Sequence, residues 1–212
     1  MNDNFYSPGI PDENFIREEG VPMTKNEIRV LSLSKLRLFP GAVVYDIGAG
    51  SGSVAIECKL INPEGKVFAI EDNPPAIALI KKNSRKFGVK LEVVEGTAPL
   101  ALHDLPPADR IFLGGSGGKL EDILDMCDRK LKMGGRLVVN AVTLHNGPAA
   151  YAFLKGKSYT LEAVQVNIAL IKEAGTSELW QARNPVTIIA AQKREEKQIE
   201  MGHILRHWGW PR

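Results

Sequence analysis

Val43-Val-Tyr-Asp-Ile-Gly-Ala-Gly-Ser-Gly52 is an apolar run that closes on an acid and is followed by three alternating glycines. A short apolar run bounded by glycine predicts a buried strand over residues 43–47. Gly48, Gly50 and Gly52 lack the Cβ atoms that would hold backbone away from a ligand, and they accept positive φ. Apolar residues from Ser53 onward follow helical spacing, so a helix is expected over 53–61. Its first turn would offer unpaired N–H groups to an anionic ligand group. Strand, glycine turn and helix together predict a loop that meets a nucleotide-type cofactor.

A second run, Lys66-Val-Phe-Ala-Ile-Glu71, also ends in an acid. It lies roughly 20 residues beyond the first, the spacing of a ribose-binding carboxylate in a βαβ unit. Glu71 is preferred over Asp72 because it stands at the strand end, and a carboxylate accepts two hydroxyl bonds at once. A third run, Leu91 to Gly96, leads into Thr97-Ala98. Pro74 and Pro75 open a helix that runs to about Phe87. Further strands are expected at 109–113, 136–142, 162–169 and 185–191, with helices at 119–131 and 147–155 and a turn at Gly134-Gly135. Thr24 followed three residues later by Glu27 predicts a capping box that opens a helix ending at Leu36. Alternating strands and helices make this an α/β chain with a mainly parallel sheet.

Composition narrows the class. With 212 residues, a single domain over 1–192 is expected, followed by a tail at 193–212 that is charged and then aromatic. Hydrophobic content of 44% and charged content of 25% are ordinary for a globular protein, and no apolar stretch is long enough to span a bilayer. The N-terminus carries no secretory pattern, and Cys58 and Cys127 lack metal-site spacing, so a cytoplasmic protein with reduced thiols is expected. A net charge of +2 gives no basic surface for nucleic acid. His103, His145, His203 and His207 are dispersed, and no metal site is expected.

The dinucleotide fingerprint needs a glycine where Ser53 stands. The observed spacing instead resembles the first motif of class I S-adenosylmethionine (SAM) methyltransferases. That likeness implies a Rossmann-like sheet of seven strands, the last inserted antiparallel between its neighbours. More specific are Gly9-Ile-Pro-Asp-Glu-Asn-Phe-Ile16, Val21-Pro-Met-Thr-Lys-Asn-Glu-Ile-Arg29, Glu95-Gly-Thr-Ala-Pro99, Leu113-Gly-Gly-Ser-Gly-Gly118 and Ser177 to Val186. Together they resemble the decarboxylating precorrin C15-methyltransferase family of corrin (cobalamin) biosynthesis, from residue 9 to about 192. In some members a second methyltransferase acting at C5 precedes this domain; the chain has no room for it and looks like the stand-alone form.

The resemblance implies methyl transfer from SAM to C15 of a precorrin or cobalt-precorrin, loss of CO₂ from the C12 acetate, and a homotetramer. Carried onto this chain, Thr24 and the loop Gly48, Ala49, Gly50, Ser51, Gly52 meet the amino-acid end of SAM. Glu71 takes the ribose, and Thr97 with Ala98 borders the adenine. Glu71 stands where relatives often have aspartate, and so does Thr97. The second glycine cluster, Gly115, Ser116 and Gly117, would face the substrate together with Asn140. Basic candidates for its carboxylates are Arg17, Lys25, Arg29, Lys119 and Arg183, with Lys25 and Arg183 preferred. Alternatives are a tRNA adenine N1-methyltransferase, a protein isoaspartyl methyltransferase, an NAD-dependent oxidoreductase and a non-catalytic SAM-binding module.

Overall fold

A computed structural model describes residues 7–194. Strands β1 (Val43–Ile47), β2 (Lys66–Glu71), β3 (Glu92–Glu95), β4 (Ala108–Leu113), β5 (Leu131–Ala141), β6 (Tyr159–Val166), β7 (Ala169–Ala174), β8 (Ser177–Ala182) and β9 (Val186–Lys193) alternate at first with helices. The helices are α1 (Asn26–Leu36), α2 (Ser53–Ile61), α3 (Pro74–Lys86), α4 (Leu120–Lys130) and α5 (Asn146–Lys155). Seven strands form one sheet in the order β3-β2-β1-β4-β5-β9-β6. Pairings among β3, β2, β1, β4 and β5 are parallel, and β9 lies antiparallel between β5 and β6. This is the expected α/β sheet with its inserted last strand.

Both faces of the sheet are covered, which is why the central strands are apolar on both sides. Tyr45 and Ile47 pack with Ile123, Leu124, Ala150 and Leu154 from α4 and α5. Val44 faces the opposite layer, with Leu33 and Leu36 of α1, Val54 and Cys58 of α2, and Ile80 of α3. Cys58 and Cys127 are free and buried. Among the described residues, no helix is long and apolar enough to cross a membrane.

The structure corrects three local expectations. Thr24 does not cap α1: the N-cap is Lys25, and the cap comes from far along the chain, where Asp12 Oδ1 accepts the Asn26 N–H at 3.0 Å. Gly134-Gly135 is not a turn but part of β5, where the β4–β5 register jumps between the Ala108–Leu131 and Arg110–Arg136 pairs. Residues 169–182 form an antiparallel hairpin, β7–β8, separate from the main sheet, and β6 ends at Val166 instead of 169. Gly175 at φ +64° begins its two-residue turn, a glycine-first hairpin signal present in the sequence. Of the expected tail at 193–212, Lys193 closes β9, and residues from 195 on lie outside the described residues.

Two buried polar side chains join the layers. Asn62 accepts the Gly41 and Gly65 N–H groups at 2.8 and 3.1 Å and donates to the Ala42 carbonyl at 2.9 Å, tying the end of α2 to the start of β1. Asn62→Ala should therefore cost about 1–3 kcal/mol in urea unfolding, since the buried Ala42 carbonyl loses its side-chain donor and the Gly41 N–H its side-chain acceptor. Asp46 faces α2, where one carboxylate oxygen accepts the Ala55 N–H at 2.9 Å and the other has no partner. Burial pushes its carboxyl up to about 7; the Ala55 N–H opposes the shift and the negative charge of Glu71 adds to it. The folded state thus holds this proton more tightly than the unfolded chain. The Asp46 contribution to stability should fall as pH rises from about 4 to about 7 and stay lost above that. Asp46→Asn keeps an oxygen for Ala55 and removes the charge. It should be more stable than the parent by about 1–3 kcal/mol at about pH 8, a difference that vanishes near pH 4. A difference independent of pH in parallel urea titrations would refute the assignment.

Candidate active site

The parallel strands all end at one edge, and the loops leaving them extend the sheet's hydrogen bonding by a step. Gly48 and Ala49 donate N–H bonds to the Ile70 carbonyl at 3.0 and 3.1 Å. Gly96 donates to the Glu71 carbonyl at 2.9 Å, and Gly114 to the Ile47 carbonyl at 3.0 Å. The edge encloses a cleft of about 380 Å³, within the range of small-molecule sites. Ile47, Ile70, Ala76 and Ile123 give it apolar surface, and Glu71, Asp72, Asn73, Thr97 and Ser116 supply polar groups.

Glycine is required here by sterics. A Cβ on Gly48, at φ +70°, would lie 2.9–3.1 Å from backbone atoms of Gly115, so the two glycine clusters touch through their main chains. A Cβ on Gly50, at φ +53°, would lie 2.5 Å from the Pro22 carbonyl oxygen. That oxygen accepts the Ser51 N–H at 3.0 Å. The segment before α1 therefore lies against the glycine loop, and its Gly20 and Pro22 line the cleft.

Glu71 is held by backbone. Its carboxylate accepts N–H bonds from Gly50 at 2.8 Å and from Asp72 and Asn73 at 3.1 and 3.0 Å. A carboxylate has about four acceptor positions, so one remains for a ligand. Thr97 donates its hydroxyl to Asp72 at 2.9 Å. Asp72, the residue ranked below Glu71 from sequence, thus sets a carboxylate beside Thr97.

The expected residues divide into two groups. Gly48, Gly50, Glu71, Thr97, Ala98, Gly115, Ser116 and Gly117 line the cleft; Ala49, Ser51, Gly52 and Thr24 do not. Lys25, Asn140 and Arg183 do not line it. Lys25 lies 3.7 Å from Asp12, and Arg183 donates to Glu27 at 2.9 Å. Asn140 pairs with Ser32 of α1 at 3.0 Å. Arg29, a candidate for substrate carboxylates, is fully buried and bonds Glu57 at 2.5 Å, so it offers nothing to a substrate. Sequence reasoning missed Gly20, Pro22 and Asp72 as wall residues, because only the folded segment before α1 and the turn after β2 bring them to the cleft.

Comparison with known proteins agrees with this geometry. The family model described as a precorrin methyltransferase domain matches residues 14–193. A probable cobalt-precorrin-6B C(15)-methyltransferase (decarboxylating) of Sulfurisphaera tokodaii is 46% identical over 189 residues, covering 88% of this chain and 98% of the relative. The crystal structure of precorrin-6y C5,15-methyltransferase from Geobacter metallireducens superposes with a TM-score of 0.82 at 45% identity, covering 87% of this chain and 98% of that one. That of precorrin 8W decarboxylase from Methanobacterium thermoautotrophicum gives a TM-score of 0.79 at 34% identity, covering 85% and 98%. A cleft at the carboxyl ends of a seven-stranded class I sheet, walled by two touching glycine loops, thus accompanies close likeness along most of the sequence, and the chain belongs to the precorrin methyltransferase family.

Proposed function

We propose that this chain transfers a methyl group from SAM to C15 of a precorrin or cobalt-precorrin, with loss of CO₂ from the C12 acetate. The observation that carries the proposal is the cleft between Gly48–Gly52, Glu71, Thr97-Ala98 and Gly115–Gly117 in a chain of this family. Its residues fit the cofactor. The main chain at Gly48 and Gly50 leaves no space for side chains, and Glu71 keeps an acceptor position toward the cleft. Thr24 and the loop of Gly48, Ala49, Gly50, Ser51 and Gly52 would hold the amino-acid end. Glu71 would meet the ribose through its remaining acceptor position, taking one hydroxyl, and Thr97 and Ala98 would border the adenine.

When bound, SAM supplies an already activated methyl group. The protein's task is then alignment, which can contribute several kcal/mol. Gly115, Ser116 and Gly117 present small groups beside Gly48, so a flat macrocycle can approach the cleft's mouth closely. Lys25, Arg183 and Asn140, set around α1, would orient its carboxylate arms. The reduced ring offers an electron-rich carbon at C15 and, once methylated, an electron sink for CO₂ loss. The chain's part is to position the C12 acetate and exclude water. With SAM and cobalt-precorrin-6B as acceptor, label from the methyl group and CO₂ should appear together; label passing to RNA alone would overturn the reading. Glu71→Ala should weaken S-adenosylhomocysteine binding at least about tenfold by calorimetry.

The homotetramer belongs to the same proposal. Ile171 and Trp180 are cross-strand partners in the β7–β8 hairpin and are 59% and 74% exposed, with Leu179 at 59%. An apolar pair displayed on a hairpin outside the main sheet favours a contact between copies. A cytoplasmic location fits the buried free thiols of Cys58 and Cys127. Light scattering should report a tetramer for the parent and a smaller species for Trp180→Glu. A monomeric parent would end this part of the proposal.

A further inference from the structure

Residues 9–24 form a strap that crosses α2 and α3 before α1 begins, and it is fastened by a buried ion pair outside the cleft. Arg29 of α1 and Glu57 of α2 are both fully buried and bond at 2.5 Å. Glu57 accepts the N–H groups of Gly9 and Ile10 at 2.7 and 3.1 Å, fixing the start of the strap. Arg29 binds carbonyls at both of its ends: Ile10 at the start and Thr24, at 2.5 Å, at the finish. It also donates to Asp12 at 3.2 Å, whose carboxylate caps α1, and its guanidinium lies 4.9 Å from the centroid of the Phe15 ring. Midway, the Asn83 side chain of α3 bonds Ile16 in both directions and donates to the Ser51 carbonyl at 3.0 Å, joining strap and glycine loop.

The fastened strap delivers Pro22 onto the glycine loop. Its carbonyl accepts the Ser51 N–H, and Gly20 and Pro22 form part of the cleft wall beside the glycine loop. We infer that Arg29 is a positioning residue: by gripping the Ile10 and Thr24 carbonyls it sets where this wall stands against the amino-acid end of the cofactor. The inference rests on the SAM reading above. Five N–H donors in a rigid plane let one arginine hold two carbonyls and two carboxylates at once, which a lysine ammonium cannot reproduce.

The test compares two ligands that differ only at that end. S-adenosylhomocysteine carries the amino-acid group, and 5′-methylthioadenosine lacks it. Arg29→Lys keeps the buried charge but loses the fork. The double variant Arg29→Gln with Glu57→Gln removes both buried charges together and loses the fork, so it serves if the first variant does not fold. Each folded variant should bind S-adenosylhomocysteine about tenfold or more weakly while binding methylthioadenosine as the parent does. Equal weakening of both ligands, or of neither, would overturn the inference. A parent chain that binds neither ligand would instead overturn the cofactor reading on which it rests.

Discussion

Backbone meeting backbone at the glycine loop is the constraint on which the site depends. Gly48 touches the main chain of Gly115, and Gly50 touches that of Pro22; Gly52 packs against Ile80 of α3. All three have positive φ, so the loop is held in a conformation that other residues rarely adopt, and at Gly48 and Gly50 the separations leave no room for a Cβ. The cleft's shape is set by main chain rather than by side-chain rotamers. The rungs from Gly48, Gly96 and Gly114 to the ends of neighbouring strands make that placement a continuation of the sheet itself. Ligand sites at the carboxyl ends of open parallel sheets arise in this way, because there the chain has just left the ladder and its N–H groups still point along it.

What the sequence displays well is whatever depends on local pattern. The apolar runs at 43–47 and 66–71, the proline pair at Pro74 and the glycine spacing at 48–52 each state their own element, and the structure places those elements where the pattern puts them. The failures share a physical cause. Asp12 caps α1 from fourteen residues away, a bond that competes successfully with the local Thr24–Glu27 arrangement because Asp12 also answers Arg29. Gly134-Gly135 looks like a turn, but pairing of β5 with β4 and β9 absorbs it as an irregularity within a strand. The β7–β8 hairpin was the readable omission: its glycine-first turn at Gly175 lay inside a stretch too charged to suggest a core strand.

The candidate site divides along the same line. Residues that act through backbone, such as Gly48, Gly50 and Gly115, are legible because glycine in a pattern signals close approach. Basic residues are not, since an arginine in a sequence does not show its partner. Arg29 and Arg183 both stand among the candidates for an acidic substrate, with Arg183 preferred. The fold buries the first against Glu57 and leaves the second partly exposed beside Glu27. The same holds for Asp72 and Thr97, twenty-five residues apart, which together provide a carboxylate beside the cleft that neither position announces alone.

The Arg29–Glu57 pair also has to be explained against a simpler alternative. Two apolar residues of similar volume would remove the desolvation cost and are often as stabilising or more so. A greasy contact, however, has no direction. It could cover α2, but it could not specify where the carbonyls of Ile10 and Thr24 stand. The strap has no regular secondary structure beyond the 3-10 turn at Asp12–Asn14, so its own backbone groups cannot fix its path. Hydrogen bonds from a buried guanidinium and to a buried carboxylate supply the direction that the strap lacks. Most of the Gly9–Arg29 segment lies outside the cleft, and its hydrogen bonds go to fixing the path of a strap whose Gly20 and Pro22 stand in the cleft wall.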